Sequence, residues 1–103
     1  MEITPIHKRV IGLDVHQNKI SACALAEQAD GTVTVDHREF GGFKRDRRAL
    51  AEWAREVAAD VVVMESTGIY WKSPYAALEK VGIVSWVVNA RHVKTVPGRK
   101  TDV

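Results

Sequence analysis

Two carboxylates carry most of the chemistry this chain could do. Asp14 sits inside Val10-Ile11-Gly12-Leu13-Asp14-Val15, an otherwise apolar run, and Glu65 closes the apolar run Val61-Val62-Val63-Met64. An ionised carboxylate among apolar neighbours is costly unless a cation or strong donors meet it. Two that approach each other repel, so either one keeps its proton or a cation lies between them. No cysteine or histidine cluster accompanies them, and all-oxygen ligation points to a hard ion, Mg²⁺ or Mn²⁺, rather than zinc. Taken singly, each residue also has an ordinary reading: a structural carboxylate for Asp14, a cap or loop residue for Glu65. A third acid, Asp102, follows a basic stretch at the end of the sequence and by itself reads as an exposed terminal residue.

The elements decide whether the two acids meet. The first run is short, β-branched and bounded by Lys8-Arg9 and by His16-Gln17-Asn18, so it is predicted to be a central strand. Alternation places Ile11, Leu13 and Val15 on one face and Val10, Gly12, Asp14 and His16 on the other, with Asp14 near the C-terminal end, facing a cleft. Lys19 to Glu27 and Thr32 to Phe40 are extended runs around Asp30-Gly31, a hairpin signal, so three antiparallel strands in a meander are expected. Lys44 to Ala59 carries Leu50, Trp53, Ala54, Val57 and Ala58 at helical spacing. Val61 to Met64 is expected to be a strand buried on both faces. Ser73-Pro74 reads as an N-cap and first helical residue, with Tyr75, Leu78 and Val81 inward and Gly82 as the stop. Ile83 to Val88 is a fifth strand. This order implies a mixed sheet with two parallel crossovers, in which the first and fourth strands are neighbours and Asp14 and Glu65 share one rim. The ribonuclease H-like fold and the actin-like ATPase half-domain both fit it.

Bulk properties set further bounds. A chain of 103 residues with 46% hydrophobic content has room for one domain. The lone cysteine, Cys23, lies in an apolar run, reads as a small packed hydrophobe, and fits a reducing cytoplasm. No stretch is long and apolar enough to span a bilayer, so a soluble protein without a membrane role is expected. Net charge is only +2, but Arg91, Lys94, Arg99 and Lys100 form a locally basic stretch suited either to solvent or to phosphates. Tyr70 and Trp71 read as packing residues ahead of a helix, with base stacking as the alternative. His16, on Asp14's face, reads as a polar edge residue or as a metal or phosphate contact.

Three blocks are similar to a known family: Gly12-Leu13-Asp14-Val15-His16; Glu65-Ser66-Thr67-Gly68-Ile69-Tyr70-Trp71 with Pro74; and Asn89-Ala90-Arg91-His92-Val93-Lys94 followed by Pro97-Gly98-Arg99-Lys100-Thr101-Asp102-Val103. Their order and spacing resemble the N-terminal domain of DEDD transposases of the insertion sequence 110 family, which includes the pilin-gene invertases. The resemblance covers nearly the whole chain. It implies a RuvC-like, ribonuclease H-like domain over residues 1–103, with a mixed five-stranded sheet and flanking helices. It also implies an acidic, metal-binding set made of Asp14, Glu65 and Asp102. The fourth acid of the family's tetrad falls three residues after the third, beyond Val103, so the chain is expected to be a fragment truncated at its C-terminus. A coiled coil and a serine-bearing C-terminal domain would follow in full-length members, and the fragment alone is expected to be inactive.

What the resemblance implies for function is a recombinase of mobile elements that cuts and joins DNA strands in transposition. Mg²⁺ or Mn²⁺ is the implied cofactor, a structured guide RNA an implied partner, and the full-length protein an implied homo-oligomer. Arg91, Lys94, Arg99 and Lys100 become the expected nucleic-acid contacts. The alternatives are a Holliday-junction resolvase or other structure-specific nuclease of the same fold, and a non-catalytic nucleic-acid-binding module. A sugar kinase or actin-like ATPase would need glycine and hydroxyl residues just after its first Asp, where Val15-His16-Gln17 stands here.

Overall fold

Alternate residues of Arg9–Val15 are buried: Ile11, Leu13 and Val15 turn into a core, while Gly12 and Asp14 stay exposed. This strand, β1, lies at the centre of the computed structural model, which describes residues 8–66 and 68–89. It is followed by β2 (Lys19–Glu27), β3 (Val33–Gly41), α1 (Lys44–Val57), β4 (Val61–Ser66), α2 (Lys72–Lys80) and β5 (Ser85–Asn89). The five strands form one sheet in the order β3-β2-β1-β4-β5. Strands β1 to β3 pair antiparallel as the expected meander, and β4 joins β1, and β5 joins β4, in parallel.

Both crossovers, β3-α1-β4 and β4-α2-β5, advance in the same direction across this sheet. Right-handed connection therefore puts both helices on the same face. Leu50, Trp53 and Ala54 of α1 and Leu78 of α2 pack there on Ile11, Leu13, Val15, Ile20, Ala22, Ala24, Val62 and Met64. At about 1.5–3 kcal/mol for each large apolar side chain removed from water, this layer is the main source of cohesion. The opposite face is uncovered among the described residues, which corrects the expectation that β4 is buried on both sides. Val63 is only half-buried and Glu65 is exposed, whereas Val62 and Met64 are fully buried. Cys23 is free and half-buried on this open face rather than in the core.

Local chemistry fixes the junctions. Asp60 accepts hydrogen bonds from the Lys8 and Arg9 amides at 2.8 and 2.9 Å and donates its own amide to the Arg9 carbonyl at 2.7 Å. That clamp pins the start of β4 against the start of β1. Asp46 Oδ2 accepts from the Phe43 amide at 2.9 Å and holds the first turn of α1. Gly42 lies against the β1–β2 turn, where an added Cβ would stand 3.0 Å from Asn18 Cα and 3.2 Å from the Gln17 carbonyl. α2 starts at Lys72 rather than at Pro74, so Ser73 is not its cap. The chain is already turning at Ile69, where Lys72 N–H meets the Ile69 carbonyl, and Pro74 falls in the first turn, where its missing N–H is not needed.

Candidate active site

β1 and β4 run parallel with Asp14 directly opposite Glu65 in register. Side chains of laterally paired residues point to the same side of a sheet, and neighbouring strands lie about 4.8 Å apart. Both acids stand on the open face, one residue from the C-terminal end of each strand. The expectation of a shared rim matches this geometry, but the burial cost argued for Asp14 does not apply, because its side chain is 56% exposed. His16 follows on the same side, with Nε2 3.1 Å from Asp14 Oδ2. The Asp14 carboxylate is thus oriented by an imidazole and still open to a further ligand.

Around the pair the open face is slightly hollow. Gly12 sits between Val63 on β4 and Cys23 on β2, and its missing side chain leaves a shallow concavity of about 510 Å³, whose walls include Asp14, Ser21, His37, Glu65 and Val88. Two adjacent carboxylates at the rim suit a hard divalent ion that keeps several of its waters. Among the described residues no group of three or more His, Cys, Asp or Glu side chains is placed to hold a metal. Asp102, the third acid of the expected set, lies outside the described residues, as do Arg91, Lys94, Arg99 and Lys100.

Beyond the rim, on the helix side, a second hollow of about 340 Å³ opens between the β1–β2 turn and the β4–α2 loop. His16, Gln17, Gly42, Arg47, Tyr70 and Lys72 border it. Trp71 packs edge-on against Tyr75, with ring centroids 5.7 Å apart, as the packing reading expected, but Tyr70 is 40% exposed. Arg47 was not singled out from the sequence; its signal is the cluster Lys44-Arg45 and Arg47-Arg48 around one acid. The β1–β2 connection, His16-Gln17-Asn18, is closed by a 2.9 Å hydrogen bond from His16 N–H to the Lys19 carbonyl. It holds neither glycine nor hydroxyl to cradle a nucleotide phosphate.

A family model for DEDD transposases of the insertion sequence 110 type, described as "Transposase", matches residues 11–103. No curated protein matches the sequence. The fold is similar to Thermus thermophilus RuvC, with TM-score 0.59 and 13% identity over 84% of this chain and 66% of that one. It is also similar to T. thermophilus RuvC in complex with a Holliday junction substrate, with TM-score 0.60 and 10% identity over 89% of this chain and 72% of that one. The fowlpox virus Holliday junction resolvase matches with TM-score 0.57 and 14% identity over 79% of this chain and 60% of that one. The chain thus spans roughly two thirds of these resolvases, and at such identities the likeness establishes the ribonuclease H-like fold alone.

Proposed function

The chain belongs to the DEDD transposases of the insertion sequence 110 family, and from that premise we propose that Asp14 and Glu65 are the paired acids of a metal-dependent site that acts on DNA phosphodiesters in transposition. One observation carries the reading: the two residues face each other in register on adjacent parallel strands, on the side of the sheet that neither α1 nor α2 covers. Asp102 is proposed as the third acid and Arg91, Lys94, Arg99 and Lys100 as nucleic-acid contacts, on the family's motif. A structured guide RNA and self-association belong to the same proposal for the whole protein.

Asp14 and Glu65 would hold a divalent ion, Mg²⁺ or Mn²⁺, which would supply positive charge to stabilise phosphodiester chemistry. The chain's own residues supply the position. Asp14 and Glu65 come from the rigid centre of the sheet, and the backbone clamp at Asp60 fixes the register that sets them opposite. His16 holds the Asp14 carboxylate through Nε2 at 3.1 Å. The flat, open concavity leaves room for a polymer to lie across the rim. A nuclease that resolves branched DNA would use a similar acidic pair, but the family match favours the transposase.

The test is calorimetric titration of Mn²⁺ and Mg²⁺ into the chain and into Asp14→Asn and Glu65→Gln variants whose folding is checked by circular dichroism. Saturable binding that falls at least ten-fold in each variant is the expected result. Equal binding in all three proteins would remove the acids from the proposed site. A chain extended beyond Val103 then tests strand cleavage and joining directly, with loss of product expected in both variants.

A further inference from the structure

We propose that the groove between α1 and α2, on the face of the molecule opposite the carboxylate side of the sheet, is a track for the phosphate backbone of DNA leading away from the acidic rim; the inference rests on DNA being the substrate of that rim. The groove measures about 440 Å³. Its floor is made of small side chains, Ala51, Ala76 and Ala77, and its walls carry Lys44, Arg47, Arg48 and Lys80. Arg47 and Ser73 line both this groove and the hollow at the β1–β2 turn, so the two adjoin. That hollow in turn includes His16, which is 3.1 Å from Asp14. The route from rim to groove passes Tyr70, Lys72 and Arg47.

Charge is what chooses the occupant. Among the described residues, Lys44, Arg47, Arg48, Lys72 and Lys80 form no ion pair with a carboxylate. The one acid lining the groove, Glu52, is already engaged by Arg55 at 3.2 Å, and the nearby Asp46 is committed to the Phe43 amide. Arg47 donates Nη1 to the Gly42 carbonyl at 3.1 Å, which fixes its guanidinium at the junction with further N–H groups left to donate. Cations in the first turn of a helix oppose its dipole. Lys44, Arg45 and Arg47 stand there, with Arg48 next in the chain. A polyanion relieves that repulsion, and a floor of alanines suits a backbone read without regard to sequence.

The test uses the full chain in EDTA, with a fluorescein-labelled 24-base-pair duplex DNA and anisotropy titrations between 50 and 200 mM KCl. Arg48→Glu and Lys80→Glu are compared with Lys8→Glu, which makes the same change in net charge at an exposed position outside the groove lining. Each groove variant is expected to weaken binding roughly ten-fold and to flatten the dependence of log K on log salt by about one to two units, and Lys8→Glu to change affinity less than two-fold. Arg48→Gln and Lys80→Gln, which add no repulsion, should each lower the slope by about 0.9 and show that folding is not the cause. Groove variants that behave like Lys8→Glu would overturn the proposal. So would a chain that ignores the duplex and binds RNA of the same sequence or an acidic peptide instead. Because the assay contains no metal, its failure is separable from failure of the Mn²⁺ titration.

Discussion

Asp30 shows how much a single exposed carboxylate can be shaped by its neighbours. It accepts hydrogen bonds from the Thr32 hydroxyl at 2.6 Å and the Thr32 amide at 3.0 Å, in a loop where Gly31 takes φ 88°. The hydroxyl contact first, and the amide second, hold its carboxyl below the ordinary value of 3.8. A carboxyl depressed in the folded state contributes stability that is present above its unfolded pKa and is lost as pH falls through the folded one. Thr32→Ala should therefore return the Asp30 titration toward 3.8, which an NMR titration of the side-chain carboxyl measures; an unmoved midpoint would show the amide alone suffices. The candidate site differs in kind, because among the described residues the donor that meets Asp14 is the His16 imidazole rather than a hydroxyl and an amide. Their positions were legible in the sequence, since alternation gives Asp14's face and the crossover brings Glu65's strand beside it. Their exposure was not, because an apolar run such as Val61 to Met64 reports that a strand packs and says nothing about how many of its faces do.

At the scale of elements, the two helices close with the same device on different residues. In α2, Gly82 takes φ 79° while its amide bonds the Glu79 carbonyl and the Ile83 amide bonds that of Leu78. In α1, Ala58 takes φ 59° while its amide bonds Arg55 and the Ala59 amide bonds Ala54. A left-handed conformation costs an alanine about 1 kcal/mol, which glycine does not incur. Ala58→Gly should raise stability by roughly 0.5 kcal/mol after the larger entropy of the unfolded glycine is counted, visible as a higher urea midpoint with unchanged slope. The stop at Gly82 could be read from sequence because glycine announces it, whereas Ala58 looks like one more residue of the helical stripe. The start of α2 was misplaced for the converse reason. Ser73-Pro74 is a strong local signal, but the turn from Ile69 to Trp71 had already set the helix in motion.

For the molecule as a whole, among the described residues the helices pack on one face of the sheet, and substitutions on that face are expected to cost more stability than those on the other. Met64 is fully buried beneath the helices, while Val35 on the open face is 55% exposed. Met64→Ala should cost about 2–5 kcal/mol and Val35→Thr less than 0.5 kcal/mol, measured by urea unfolding of the two variants side by side. An equal loss in both would mean that something packs on the open face in solution. The ribonuclease H-like architecture was legible because strand and helix order, with right-handed crossovers, leaves few ways to build the sheet. The groove between the helices was not, since it depends on which faces of α1 and α2 remain turned outward after both have packed. The strand order also bears on how a growing chain reaches its working form. Val15 and Ile20 pair with four residues between them, but Asp14 and Glu65 pair with fifty between them, a far larger loop to close. The meander of residues 9–41 can assemble as soon as it leaves the ribosome, with the other edge of β1 bare until residues 61–66 emerge to zip onto it. The two acids are brought together only at that step, so an interrupted or half-made chain that stops short of β4 holds Asp14 without its partner.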